Sequence, residues 1–304
     1  MGKLFDRLIN GKPDKKDFTP ADLPKNRLDL FVDVVKMRFT GLITVNLLYV
    51  VFLLPLIIFS LFSYFAIVQE VSLNNGIDAQ LLKSAFNTYL LMFIPLYAIA
   101  GPAKAGVHYV IRNWSWGEQA SPVRDFFKEF KRSWKKGLMV NLLVGVLIYA
   151  IWFWFHNFVE NQTSGLRYVF ITGISLIAFL YFLMSIYIYP IMVTYDLPLT
   201  KILKNSAIFG LMLVPRNILV LLCMAAVIIV MALIYQISSV IILVMGFSLF
   251  FLAKTIYCGS VFDRFRKNLT DDDVAQRRGM APQQPKSAQR VKNGKSAKSG
   301  KGVK

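Results

Sequence analysis

The sequence predicts an all-α membrane protein with about six transmembrane helices, and three observations favour this class. First, 56% of its 304 residues are apolar, only 17% are charged, and the mean hydropathy is +0.51. Soluble domains average about 45–50% apolar and about 25% charged residues. Second, the charges are concentrated, which leaves apolar runs that meet the requirement of about 20 residues for crossing a bilayer. Third, the cationic residues between these runs fall almost entirely in alternate connections.

The apolar runs predict six spans in chain order. The last two come from one apolar stretch that is too long for a single helix, and the polar residues at 236–239 are the only cluster that can divide it. The predicted spans are 40–67, 86–111, 138–156, 168–194, 217–235 and 239–258.

A faint internal repeat suggests that the spans are arranged as three helical hairpins. Related segments open the first, third and fifth spans, at 41–48, 137–143 and, more loosely, 216–219. Constraints shared by all inserting helices are the alternative explanation for this similarity. Within the first two segments, Asn46 and Asn141 are expected to form hydrogen bonds between helices rather than to bind a ligand.

The distribution of Lys and Arg predicts the orientation of the chain. One set of alternate segments holds 32 of these residues and the other set holds 2, with Lys104 inside the second span. This tally assigns Lys254 to the C-terminal segment. Because cationic connections remain on the cytosolic side, both termini and the two longer inner connections are expected in the cytosol.

Three regions follow from these predictions. Residues 1–39 form a cytosolic N-terminal segment with an interfacial helix, residues 40–269 form the membrane domain, and residues 270–304 form a basic tail. The tail has too few apolar residues to order itself. Attraction to anionic lipid headgroups is expected for it, and specific nucleic-acid binding is not, because no aromatic residues accompany its charges.

The strongest local pattern predicts an interfacial amphipathic helix at 123–136. Its apolar face carries Val123 and four aromatic residues, and its polar face is mainly basic. The helix either fixes the angle at which the next span enters the membrane or docks a partner, and both interpretations stay open. The residues that carry the pattern are Phe126, Phe127, Phe130, Trp134, Lys128 and Lys131.

The second span contains ionisable residues, which are expensive in lipid and therefore indicate a possible functional site. Lys104 and His108 are four residues apart and share one helix face. With Asp196 and Asp263, which follow the fourth and sixth spans, they form a candidate polar cluster near the cytosolic side. The alternatives for Lys104 are pairing within the protein or extension of its side chain toward the headgroups.

Small residues and prolines in the same span predict its shape and packing. Pro95 and Pro102 lack the backbone N–H of a helical residue and are expected to bend the helix. Gly101 and Gly106 allow a neighbouring helix to approach closely, which packing inside a membrane favours.

No motif for a common enzyme class is present. The sequence lacks GxxxxGK[ST], HExxH and GxSxG, which bind phosphates, bind zinc or hold a nucleophilic serine. The two histidines, His108 and His156, are predicted on opposite sides of the membrane. We therefore predict no catalytic residues, no metal site and no cofactor.

Several segments resemble the YesL-like family, bacterial integral membrane proteins of unknown function. The resemblance extends over residues 1–270 and is carried by residues 2–8, 101–113, 117–118, 125–135, 189–190, 195–196 and 201–207. It implies a protein of the bacterial cytoplasmic membrane. Because members often occur beside genes for carbohydrate uptake by ABC transporters, it also implies an accessory role in that process.

These observations favour a non-enzymatic accessory or assembly partner of a transport system, which contacts the membrane subunits of that system and anionic lipid. One alternative is a transporter or channel with a polar cavity near Lys104 and His108. The other is a membrane-bound enzyme that acts on lipid or glycan precursors, for which the four residues of the candidate cluster would have to converge.

Overall fold

The computed structural model describes residue 24 and residues 26–73, 78–159 and 165–265, and every regular element in this part of the chain is helical. The N-terminal residues 1–23 and the basic tail 270–304 lie outside the described residues. The α-helices are α1 (Arg27–Met37), α2 (Phe39–Leu73), α3 (Ala79–Ser115), α4 (Pro122–Arg132), α5 (Trp134–Trp154), α6 (Leu166–Ser185), α7 (Ile188–Thr194), α8 (Leu199–Met212), α9 (Val214–Leu233), α10 (Tyr235–Ile241) and α11 (Phe247–Phe265). Two π-helical segments, Phe155–Val159 and Ile242–Gly246, follow α5 and α10.

Within the described part of the chain, six helical segments are long and apolar enough to cross a membrane, which confirms the predicted class of a multi-pass all-α membrane protein. They begin within seven residues of the predicted spans, and the break between the last two lies at the predicted polar cluster. The segments are Phe39–Leu73, Ala79–Ser115, Trp134–Asn157, Leu166–Thr194, Val214–Leu233 and Ser238–Phe265.

The second span is the centre of the bundle. Its helix α3 packs against α2, α4, α5, α7 and α11, and half of its most apolar window is buried. The corresponding windows of the fourth and fifth spans are only 11% and 6% buried, so these spans lie at the periphery. At 37 residues, α3 is about 55 Å long, which exceeds the roughly 30 Å of hydrocarbon in a bilayer.

Glycines bring α3 into backbone contact with α5. A Cβ atom on Gly101 would lie 2.1 Å from the carbonyl oxygen of Gly137, and one on Gly106 would lie 2.8 Å from the Phe126 ring of α4. Pro95 and Pro102 both lie within α3, which continues through them. Because glycine has no side chain, Gly101 and Gly106 allow the central helix to contact α5 and α4 at van der Waals distance.

Buried asparagines join the spans, as predicted for Asn46 and Asn141. Asn46 Nδ2 donates to the carbonyl oxygens of Ile242 and Leu243 at 3.2 and 2.7 Å, and Asn46 Oδ1 accepts from the Ser248 backbone at 3.0 Å. These bonds tie α2 to the π-helical segment between α10 and α11. Asn141 donates to the Tyr97 carbonyl at 2.9 Å and accepts from the Tyr189 hydroxyl at 2.7 Å.

Candidate functional site

Three basic side chains lie together inside the bundle. Lys104 and His108 project from α3, and Lys254 projects from α11; His108 and Lys254 are buried and Lys104 is partly buried. The positive charges of Lys104 and Lys254 act on each other and on His108. A cluster of cations in this position is costly, because the hydrocarbon region cannot hydrate it.

Aromatic rings surround the Lys104 amine. Its Nζ atom lies 4.8 Å from the centroid of the Tyr189 ring and 5.7 Å from that of Phe251. Both distances are within the roughly 6 Å over which a cation is attracted to a ring face. Among the described residues, no hydrogen bond or ion pair occupies the donors of this amine, so the side chain lies inside the protein without a polar partner there.

His108 is fixed in the same aromatic environment. Its Nδ1 atom shares a 3.0 Å hydrogen bond with Thr255 Oγ1 of α11, and its ring stacks on Tyr189 at a centroid distance of 5.7 Å. The buried Nε2 atom has no hydrogen-bond partner among the described residues. His108 therefore links α3 to α11 through one nitrogen and leaves the other unused.

Lys254 caps a break in the fourth span. Between α6 and α7 the helix is interrupted, and the Lys254 amine donates to the Ser185 carbonyl oxygen at the end of α6. Cys258 Sγ donates to the next carbonyl, that of Ile186, at 3.2 Å. Pro190 lies four residues after Ile186 and has no N–H to donate to the Ile186 carbonyl. A helix C-terminus also favours a positive charge nearby. These features explain why the interrupted helix accepts two donors from α11.

Lys254 is the site residue that sequence reasoning missed. The Lys and Arg tally assigned it to the C-terminal segment, although it lies within the predicted span 239–258. Its place inside an uninterrupted apolar run, four residues before Cys258, was the available signal. A cation in such a run is buried unless the span ends before it.

The two predicted acidic members of the cluster lie elsewhere. Asp196 is exposed after α7, where Lys136 donates to it at 3.2 Å and Arg132 lies at 3.5 Å. The hydrogen bond from Lys136 and the charges of both cations lower the pKa of Asp196. Asp263 of α11 pairs with Arg27 of α1 at 3.1 Å.

The structure therefore divides the four predicted cluster residues among three places. Lys104 and His108 lie inside the bundle, and each carboxylate is paired at the end of its span. Asp196 is exposed and paired with cations of α4 and α5, whereas Asp263 is paired with Arg27 of α1.

A cavity of about 670 Å³ opens beside Lys104. It lies between α2, α3, α9, α11 and the π-helical segment before α11, and Lys104 is the one charged residue among the described residues of its wall. His108 is not part of the wall. The lining residues are Tyr49, Leu53, Leu56, Ile57, Ser60, Leu61, Tyr89, Tyr97, Lys104, Ile228, Met231, Ile242, Gly246, Phe247, Phe250 and Phe251.

The predicted interfacial helix is shorter than expected and packs on the protein. It ends at Arg132, and Trp134 already begins α5, because the helix breaks at Ser133. Phe126 is fully buried against Gly106, and the Phe130 ring lies 4.7 Å from that of Phe52 in α2. These two rings therefore contact neighbouring helices rather than lipid.

The outward side of α4 remains apolar and basic. Val123 and Phe127 are exposed, as is Trp134 at the start of α5, and Lys128 and Lys131 are exposed beside them. This set of five residues is called the α4 surface below.

A buried carboxylate lies beneath the α4 surface. Glu129 of α4 is almost fully buried and accepts a 2.5 Å hydrogen bond from Ser133 Oγ, with Arg132 at 3.8 Å. Burial raises the pKa of Glu129 above its ordinary value, although the hydrogen bond from Ser133 opposes this effect. The side chain therefore holds the end of α4 at the cost of desolvating its charge.

Side chains that commonly bind metal ions are not clustered in the described part of the chain. Within residues 26–73, 78–159 and 165–265, no three or more His, Cys, Asp or Glu side chains are grouped so that they could hold a metal ion. The two cysteines are free, with Cys223 exposed on α9 and Cys258 buried.

Comparison with known proteins gives a family match for part of the chain. Residues 42–158 match a family described as proteins of unknown function, DUF624. The uncharacterized protein YesV of Bacillus subtilis (strain 168) is 26% identical over 145 residues, which cover 46% of this chain and 69% of that protein. No solved structure matches the chain. The matched region contains Lys104, His108 and α4 but ends before Lys254. The match is consistent with the YesL-like resemblance and assigns no function.

Proposed function

We propose that this protein is a non-enzymatic accessory or assembly partner of a transport system in the bacterial cytoplasmic membrane. Six apolar spans support a multi-pass membrane protein. The Lys and Arg distribution supports cytosolic termini, because cationic connections remain on that side. Carbohydrate uptake is the process that the YesL-like resemblance implies, and membrane subunits of such a system are the partners we propose.

The α4 surface is the observation that carries this proposal. The helix is anchored to α2 and α3 by Phe126 and Phe130, so its outward residues Val123 and Phe127 have fixed positions. An exposed apolar group ringed by basic side chains suits a partner that is itself apolar and acidic. It also suits anionic lipid, so the experiment must separate the two.

The arrangement of ionisable groups favours a non-enzymatic role over the enzyme alternative. Asp196 and Asp263 are held in ion pairs at the ends of their spans. The interior group of Lys104, His108 and Lys254 is wholly basic. The enzyme alternative needed all four residues of the candidate cluster at one place, and neither Asp196 nor Asp263 joins this interior group.

The test is crosslinking in native membranes followed by mass spectrometry. With the wild type we expect crosslinks from the α4 region to membrane subunits of a transporter. The double variant Val123→Glu with Phe127→Glu should lose them, because it places charge in the apolar contact while retaining the buried Phe126 and Phe130. Val32→Glu, at an apolar position on α1 with an exposure similar to that of Val123, is the matched control.

Two outcomes contradict the proposal. Wild-type protein without any transporter crosslink would show that no such partner is bound. Greater protease accessibility of α4 in the double variant, with unchanged crosslinks to other proteins, would show that the α4 surface binds lipid. Circular dichroism of each variant confirms that the helical fold is retained.

A second candidate function is transport, which the cavity beside Lys104 supports. The wall is mainly apolar, so the cavity suits a hydrophobic or amphipathic solute better than a sugar. Labelling of Tyr97→Cys with a water-soluble thiol reagent, in a Cys223→Ser background, tests whether water reaches the wall. Rapid labelling from both sides of the membrane in turn supports transport, and labelling from neither side contradicts it.

A further inference from the structure

We propose that the cavity beside Lys104 is a binding site for a single-chain amphiphile with an anionic head group. The head group contacts the Lys104 amine, and the hydrocarbon chain fills the apolar part of the cavity. This assignment is independent of the accessory role proposed above, because it uses none of the residues of the α4 surface.

The basic character of the interior favours an anion over a neutral or cationic ligand. Lys104 and Lys254 lie in the same basic group, and neither is paired with a carboxylate among the described residues. An unpaired positive charge is unfavourable in a low-dielectric interior. An anionic ligand supplies a counter-charge. It therefore binds more tightly than a neutral ligand of the same size.

The donors of Lys104 are available to such a ligand. Lys254 already donates to the Ser185 carbonyl oxygen. The Lys104 amine lies over the faces of Tyr189 and Phe251 and forms no hydrogen bond or ion pair among the described residues. An ammonium group carries three donors, and charge-assisted hydrogen bonds to carboxylate or phosphate oxygens are among the strongest in proteins. Lys104 is therefore the head-group ligand, and Lys254 contributes its field.

Hydroxyl groups of the wall add to the polar end. Tyr97 lies seven residues before Lys104 on α3 and so shares its helix face. Within the described part of the chain, neither the Tyr97 nor the Tyr49 hydroxyl has a hydrogen-bond partner, and both residues line the cavity. They are further donors that an anionic head group can use.

The extent of the cavity along α3 suits a long apolar chain. Its wall extends along α3 from Lys104 to Tyr89, fifteen residues away, which corresponds to about 22 Å of helix. Beyond the lysine, the wall is formed mainly by aliphatic and aromatic side chains of α3 and of four other segments. The volume of about 670 Å³ lies within the roughly 300–1,000 Å³ of sites that hold one small ligand.

The experiment measures binding to the full-length protein in phosphatidylcholine nanodiscs. Displacement of a fluorescent fatty acid by palmitate, hexadecyl phosphate and hexadecanol compares two anionic head groups with a neutral one on the same chain. The wild type should bind the anions saturably, at one per protein, and about tenfold or more tighter than the alcohol, as expected for a buried charge-assisted contact. The preferred anion then identifies the head group.

Three variants locate the site. Lys104→Met should lower the affinity for both anions by about tenfold or more and leave the affinity for hexadecanol unchanged. Ile57→Trp, which places a larger side chain in the apolar part of the cavity without altering charge, should lower the affinity for all three ligands. Lys135→Met, an exposed lysine at the start of α5, is the control for loss of one positive charge and should bind like the wild type.

The proposal is overturned by either of two results. Equal wild-type affinity for palmitate, hexadecyl phosphate and hexadecanol would show simple partitioning into an apolar space. Unchanged affinities in both Lys104→Met and Ile57→Trp would place the ligand elsewhere. The comparison of head groups in the wild type decides the first point even if Lys104→Met does not fold.

Discussion

At the scale of single residues, three asparagines hold the spans together. Asn46, Asn141 and Asn217 are fully buried, and they occupy related positions at the starts of the first, third and fifth spans. Asn217 accepts from the hydroxyls of Tyr187 and Tyr257 at 2.6 and 2.7 Å and donates to the Gly210 carbonyl at 2.9 Å. Each amide thus satisfies polar groups of neighbouring helices that lipid could not solvate.

We expect Asn217→Leu to destabilise the protein by about 1–3 kcal/mol, because the buried Tyr187 hydroxyl and the partly buried Tyr257 hydroxyl would lose their acceptor. Thermal unfolding of the purified protein in one detergent measures the effect. Ser239→Ala is the control, since Ser239 is exposed and bonds only to a carbonyl of its own helix. An unchanged melting temperature in Asn217→Leu would show that these bonds contribute nothing to stability.

Glu129 makes a pH-dependent contribution of defined sign. Because its folded-state pKa is raised by burial, the folded protein holds this proton more tightly than the unfolded chain does. Stability therefore falls as the pH rises from the ordinary carboxyl range through the raised pKa. Glu129→Gln should remove this fall and gain stability relative to the wild type over that interval.

Melting temperatures of wild type and Glu129→Gln between about pH 4 and pH 7 test this sign. Asp196→Asn is the opposite case, since its folded-state pKa is lowered. This variant should lose stability relative to the wild type as the pH rises from the lowered pKa to the ordinary carboxyl range, so its series begins at a lower pH than the series for Glu129→Gln. A constant difference between Glu129→Gln and wild type at every pH would contradict the assignment.

The candidate site was predictable only in part from individual residues. Lys104 and His108 were found because ionisable residues within an apolar run are conspicuous and four residues apart on a helix share a face. Their surroundings were not predictable, because Tyr189, Phe251, Lys254 and Thr255 come from later spans. Nothing in a single sequence states which faces of separate spans meet.

At the scale of helices, the contact between α3 and α5 depends on two glycines. We expect Gly101→Ala to destabilise the bundle by about 1–3 kcal/mol, because its Cβ would lie 2.1 Å from the Gly137 carbonyl oxygen. Gly173→Ala on α6 has no atom within 4 Å of the new Cβ and should be neutral or stabilising by up to about 1 kcal/mol. Thermal unfolding of both variants provides the comparison.

A melting temperature of Gly101→Ala equal to that of Gly173→Ala would contradict this packing. The two substitutions add the same methyl group to helical glycines, so the difference between them reports the neighbouring helix. Intrinsic helix propensity contributes equally to both.

The α4 helix shows what amphipathicity can and cannot predict. Its apolar face was evident from the spacing of Val123, Phe126, Phe127 and Phe130. The pattern does not distinguish an apolar face that packs on protein from one that lies in lipid, and Phe126 and Phe130 proved to contact α3 and α2. The end of the helix at Ser133 was also not marked by glycine or proline, so the sequence favoured continuation into Trp134.

At the scale of the whole molecule, hydropathy predicted the six spans and tertiary packing determined their arrangement. Long apolar runs must be helical in lipid, because every backbone group has to be bonded within its own segment. The central position of α3, however, arises from small residues at 98–106 that contact several neighbours at once. Hairpin pairing inferred from a sequence repeat did not contain this information.

The central claim is that six spans cross the membrane with their basic connections on one side. Reporter fusions or single-cysteine labelling, placed at Lys128 in α4, after Phe265 and at Asp78 before α3, test it most directly. The account predicts that Lys128 and the position after Phe265 are accessible only from the cytosol and that Asp78 is accessible only from the outside. Opposite locations for Lys128 and the position after Phe265 would contradict it.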